Sequence, residues 1–180
     1  MFSNKRLTKM NKLNMKSNSS KLESKKIFVI DDDEIMIELV TKLLEVAGFS
    51  DIHGFVQSTE ALELLRFVCP DLIITDIHMP ELDGTFFAKM VTEFPHINSV
   101  PMLAMTADDS PETREKAKRN GISDVVLKPI EGKALIEKVL SVIKLNEIGQ
   151  DLEASQDRQF SLEAKPVSKQ EGELYKAFGR

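Results

Sequence analysis

Apolar residues form no sustained pattern over residues 1–25 and then arrive in short, regular bursts. IFVI at 27–30 is a continuous apolar run rich in β-branched residues, the signature of a strand buried on both faces. Ile35, Leu39, Leu43 and Val46, with Val40, Leu44 and Ala47 beside them, recur at helical spacing and predict a helix that stops at Gly48. A short strand near 51–55 and a helix near 58–68 follow, and DLIIT at 71–75 is a second strong buried strand. That strand runs into DIHMPELDG, where Pro80 and Gly84 mark a loop. A helix near 84–93, the strand VPMLAM at 100–105 and a helix from 110 to 120 come next. Ser110 caps this last helix, Pro111 occupies its first turn, and Asn120-Gly121 closes it. The strand SDVVL at 123–127 and a helix from 131 to about 145 complete the series.

Five strand–helix units thus occupy the 118 residues from 27 to 144. Short apolar strands alternating with helices predict a parallel sheet covered by helices on both faces. Five units cannot close an eight-stranded barrel, so the expected architecture is α/β, an open doubly wound five-stranded sheet. The sequence divides into a basic, disordered arm over 1–25, a domain over 26–145, and a polar tail over 146–180 that is disordered or partly helical. Met10 and Met15 leave open a translation start further into the arm.

Charge sharpens this division. The chain of 180 residues carries a net −5, yet residues 1–26 hold eight Lys/Arg against one acid, Glu23. Residues 145–180 carry seven acids and five bases, so the central domain is strongly acidic. An acidic body argues against a nucleic-acid-binding face. The lone Cys69 cannot form an internal disulfide, and no apolar run reaches the ~18–20 residues of a membrane span. A cytoplasmic protein that binds neither membrane nor nucleic acid is expected.

Functional groups of an open parallel sheet gather beyond the carboxyl ends of its strands. Here those ends read Asp31, Asp32, Asp33 and Glu34; Thr75 and Asp76; Met105, Thr106 and Ala107; Lys128 and Pro129. Carboxylates held together raise one another's pKa unless a cation intervenes, and Mg²⁺ is the natural hard ion for an oxygen set. A nucleophile, a metal and a fixed positive charge suffice for phosphoryl transfer. Asp76 stands alone at the end of a central strand, whereas the adjacent Asp31 and Asp32 are better placed to share a metal.

Taken in order, IFVIDDDE, DLIITDIHMPELDG, PMLAMTA and VVLKPI strongly resemble the receiver domain of two-component response regulators. The resemblance covers residues 26–145. The intervals from Asp32 to Asp76 (44), Asp76 to Thr106 (30) and Thr106 to Lys128 (22) fit that family without insertion. It implies a flavodoxin-like (βα)5 fold and a stand-alone signalling phosphoacceptor rather than an enzyme. Asp76 then corresponds to the phosphoacceptor, Asp31 and Asp32 to the acidic pair on Mg²⁺, and His78 to the donor of a backbone carbonyl to the ion. Thr106 and Lys128 correspond to the hydroxyl and lysine that meet the phosphoryl group, and Lys128-Pro129 to a cis bond. The implied partners are a histidine kinase or histidine phosphotransfer protein and a downstream protein target.

One position departs from the family. Val125 stands where an aromatic switch residue is usual, so output is expected through the loop after Thr106 and the face formed by the last two helices and last strand. Arg114, Lys118 and Arg119 offer charged contacts there; the tail residues Leu174, Tyr175 and Phe178 offer an alternative route. The competing enzyme reading is a phosphohydrolase of the haloacid dehalogenase type, since Asp31-x-Asp33, Thr106 and Lys128 superficially fit it. That family needs a further acidic pair after a strand beyond the lysine, where this sequence predicts a helix. His53 and His96 read as structural or exposed, and Cys69 as a semi-buried filler.

Overall fold

The computed structural model describes residues 22–80 and 82–163, with side chains to residue 150. Strands β1 (Lys26–Ile30), β2 (Asp51–Phe55), β3 (Leu72–Asp76), β4 (Met102–Thr106) and β5 (Asp124–Leu127) alternate with helices α1 (Glu34–Val46), α2 (Ser58–Leu65), α3 (Gly84–Thr92), α4 (Pro111–Arg119) and α5 (Gly132–Glu163). The strands form one parallel sheet in the order β2-β1-β3-β4-β5. This is the doubly wound fold anticipated from the patterning.

Strand periodicity divides the core into two layers. Phe28, Ile30, Ile73, Met102, Ala104 and Val125 point to one side, against Leu62 and Leu65 of α2, Phe87 and Val91 of α3, and Ala117 of α4. Ile27, Val29, Leu72, Ile74, Leu103, Met105 and Val126 point to the other, against Val40 and Leu44 of α1 and Leu135, Val139 and Val142 of α5. β3 is buried along its whole length because both neighbours are strands and both faces are covered. β2, at the edge, carries Asp51, which pairs with Lys26 at 2.7 Å, and His53 against it, also at 2.7 Å.

The helix marked by Ile35, Leu39, Leu43 and Val46 is present as α1, with Ile35, Leu39 and Val46 exposed (75%, 42% and 90%), because α1 presents Val40 and Leu44 to the sheet instead. Three expectations need correction. Residues 22–25, assigned to the arm, are ordered: Leu22 packs on the core and Lys25 pairs with Asp71 at 2.9 Å. α5 does not stop near 145 but runs to Glu163; compact units divide between Asn146 and Glu147, the second comprising the remainder of this helix among the described residues. Cys69 is exposed rather than semi-buried. Residues 1–21 of the predicted arm and the tail residues Leu174, Tyr175 and Phe178 lie outside the described residues.

Candidate functional site

Register brings the strand ends together. Ile30 of β1 pairs with Thr75 of β3, which sets Asp31 beside Asp76 on adjacent strands. Asp76 in turn pairs with Met105, and Thr106 with Leu127, so Thr106 and Lys128 reach the same edge. Backbone bonds extend the sheet one residue into the loops: Ile77 N–H donates to Met105 O at 3.0 Å, and Lys128 N–H to Thr106 O at 2.7 Å. Lys128-Pro129 is cis.

One oxygen from each of Asp31, Asp32 and Asp76 lies within 4.8 Å of the others. Asp31 and Asp76 are almost fully buried (1% and 4% exposed), whereas Asp32 is exposed. Lys128 Nζ bridges the buried pair, 2.9 Å from Asp31 Oδ2 and 2.8 Å from Asp76 Oδ1. The other oxygens of the pair accept backbone bonds, Asp31 Oδ1 from Asp33 N–H at 3.0 Å and Asp76 Oδ2 from His78 N–H at 2.9 Å. Asp32 has no such partner among the described residues.

Burial raises the Asp31 carboxyl above its ordinary value, and the opposing bonds from Lys128 and the Asp33 amide do not offset it. Burial draws Lys128 down, but its bonds to Asp76 and Asp31 prevail and hold the ammonium above the usual lysine range. Three carboxylates and one ammonium leave a net charge of two negatives, all on oxygen. That donor set suits a hard divalent ion with room for waters, and suits soft metals poorly. The residues present therefore fit Mg²⁺.

The loop after β3 returns tightly on that strand. Gly84 N–H donates to Ile77 O at 2.8 Å, and a Cβ on Gly84 would collide with the Asp76 carbonyl oxygen. Only glycine allows α3 to begin so close to Asp76. Asp83 caps α3 by accepting from Thr85 N–H at 2.8 Å and from the Thr85 hydroxyl, and pairs with Lys116 of α4 at 3.3 Å. Across the site, Thr106 is buried and its Oγ1 accepts from Asp108 N–H at 3.1 Å. Asp108 accepts from Thr113 Oγ1 at 2.5 Å, tying the loop to α4.

Every predicted site residue is thus at one end of the sheet: Asp31, Asp32, Asp76, Thr106 and Lys128 through side chains, and His78 through its backbone, with its imidazole exposed. The loop-fixing residues Asp83 and Asp108 were not singled out from the sequence. An Asp directly before a helix start is the N-cap signal that could have found Asp83.

Comparison with known proteins points one way. The family model described as the response regulator receiver domain matches residues 27–140. The chain is 29% identical over 120 residues (67% of this chain, 97% of the relative) to the polar-differentiation response regulator DivK of Brucella suis. Among solved structures, chemotaxis response regulator CheY4 of Vibrio cholerae aligns with TM-score 0.62 and 27% identity, covering 66% of this chain and 98% of that one. The receiver domain of sensor histidine kinase PA1611 from Pseudomonas aeruginosa, solved with a magnesium ion coordinated in its active site cleft, shares the fold at TM-score 0.61 and 21% identity, over 67% of this chain and 98% of its own.

Proposed function

Because the chain belongs to the response regulator receiver family and acts as a phosphoacceptor in two-component signalling, we propose that Asp76 is the residue phosphorylated. The observation that carries this is the Lys128 bridge: Nζ holds Asp76 Oδ1 at 2.8 Å on the central strand while Asp31 and Asp32 flank it. Asp76 Oδ attacks phosphorus, the bond from phosphorus to the donor nitrogen breaks, and that nitrogen keeps the electron pair. The product is an acyl phosphate on β3. Lys128 offsets the charge of the phosphoryl oxygens and Thr106 donates its hydroxyl to one of them. Asp31, Asp32, Asp76 and the His78 carbonyl would hold Mg²⁺, which when bound neutralises charge on the phosphoryl oxygens.

The donor is a histidine kinase or histidine phosphotransfer protein. The stripe of Ile35, Leu39 and Val46 on α1 begins at the rim of the site and gives such a donor an apolar surface. The domain at 26–145 works as a signalling module in the cytoplasm, with no turnover beyond its own phosphorylation and dephosphorylation. No helix among the described residues is long and apolar enough to cross a membrane. The phosphohydrolase reading finds no support, since Lys128 is followed by α5 rather than by a strand with a further acidic pair.

Incubation with phosphoramidate and Mg²⁺ should add one acid-stable, base-labile phosphoryl group, and Asp76→Asn should reduce incorporation to background. Normal labelling of Asp76→Asn would overturn the assignment.

A further inference from the structure

Next to the acidic cluster lies a cavity of about 170 Å³ lined by Asp32, Val56, Gln57, Ser58, Met79 and Pro80. Asp32 belongs both to the cluster and to this cavity. Ser58 opens α2 and is 3% exposed, yet its hydroxyl has no hydrogen-bond partner among the described residues. Every fully shielded side-chain nitrogen or oxygen among those residues does have a partner. The Ser58 oxygen therefore keeps contact with open space, and the cavity it lines is that space. Gln57 is the N-cap of α2 but makes no side-chain capping bond, which leaves its carboxamide free as well. Val56, Met79 and Pro80 supply an apolar wall.

A hydroxyl this enclosed is costly unless water reaches it. At ~30 Å³ per water the cavity has room for roughly five. Magnesium sheds water reluctantly and keeps several waters when held by carboxylates. A water bound to the ion has committed its lone pair, so it meets its surroundings as a hydrogen-bond donor. Groups that steady it must accept. Of the side-chain oxygens in the cavity's lining, Ser58 Oγ and the Gln57 carboxamide oxygen are the acceptors not already assigned to the metal.

We infer that Ser58 and Gln57 are positioning residues for the hydration shell of Mg²⁺, accepting hydrogen bonds from ion-bound waters in the cavity beside Asp32. The inference rests on the reading of Asp31, Asp32 and Asp76 as the metal's ligands. It adds to them two residues that follow the carboxyl end of the edge strand β2, and it makes affinity for this ion depend on groups that never touch it. Outer partners of this kind ordinarily carry 10–100-fold in metal affinity. Calcium dehydrates more readily and accepts flexible coordination, so its binding depends less on them.

The test is calorimetric titration of the full chain with MgCl₂ and, separately, CaCl₂. Ser58→Ala and Gln57→Leu should each weaken Mg²⁺ binding about tenfold and Ca²⁺ binding no more than about twofold; Ser58→Thr, which retains the hydroxyl, should recover most of the loss. Gln57 is exposed, so its variant keeps the fold if Ser58→Ala does not. Wild-type Mg²⁺ affinity in both variants, or equal losses for the two ions, would overturn the inference. Asp32→Asn separates it from its premise: if that variant binds Mg²⁺ like the wild type, the metal assignment itself fails and the outer shell with it.

Discussion

Among the described residues, Lys128 carries the only positive charge on the buried pair, with its own side chain 22% exposed. Its pKa is held above the unfolded value, so its contribution to stability is present below the ordinary lysine pKa of ~10.4 and lost as pH rises through the higher folded value. Asp31 has the opposite sense. A carboxyl raised by burial costs no stability below its unfolded pKa of ~3.9, and its full cost appears above the folded value. Lys128→Met should therefore destabilise the metal-free protein by about 2–3 kcal/mol at pH 7, somewhat less than a fully buried pair would lose. Urea melts in chelator should show that difference shrinking as pH falls towards 4; a pH-independent deficit would assign the loss to packing. The residues of this cluster are legible in the sequence because each follows a short apolar run, and strand ends converge. Ser58 and Gln57 are not, because they follow the polar edge strand DIHGF and carry neither charge nor metal-ligand chemistry to mark them out.

Helix α3 shows what one capping residue does for the loop it closes. Asp83 lies below its usual carboxyl value: partial burial pushes it up, but bonds from Thr85 and Lys116 outweigh this. Its stabilisation is then present above the unfolded carboxyl value and lost as pH falls through the lower folded one. Asp83→Ala should cost about 1 kcal/mol at pH 7 and progressively less as pH falls through the carboxyl range, read by denaturant titration across that range. Gly84→Ala should cost more than Asp83→Ala and slow phosphoryl uptake at Asp76, because the new methyl meets backbone. Equal stability of the two variants would show that the loop relaxes freely. Helix existence was readable throughout, but faces and ends were less so. In α1 the apolar residues outnumber the positions the sheet can cover, and periodicity cannot tell the covered stripe from the surplus Ile35, Leu39 and Val46. In α5 the drop in hydrophobicity after Leu145 resembles an end, yet 146–163 contains no proline and only one glycine, Gly149, and good helix formers continue the turn.

Across the whole domain, metal binding is linked to folding. The folded state alone assembles the three carboxylates, so Mg²⁺ at a hundred times its dissociation constant should stabilise the protein by about 2.7 kcal/mol. Asp32→Asn should abolish that increment while its metal-free melting temperature stays level or rises, since one charge leaves a crowded cluster. A large fall in the metal-free melting temperature would make Asp32 structural. Output is a second property at this scale. Val125 is buried in register with Ala104 and has no ring to swing, whereas Thr106, Asp108 and Thr113 form a continuous chain into α4. Amide exchange with beryllofluoride should change protection over 106–119; changes confined to 76–84 would defeat that route. The span of the Lys128–Asp31 bond, 97 residues, has a consequence during synthesis. The strands emerge from the ribosome in an order that leaves the lysine last among the site's residues. A chain that has released β1, β3 and β4 holds Asp31 and Asp76 without the charge of Lys128 that pairs with them. On the proposed assignment, a nascent chain should gain the ability to accept phosphate only once β5 is out, and a product truncated before Lys128 should take up none from phosphoramidate.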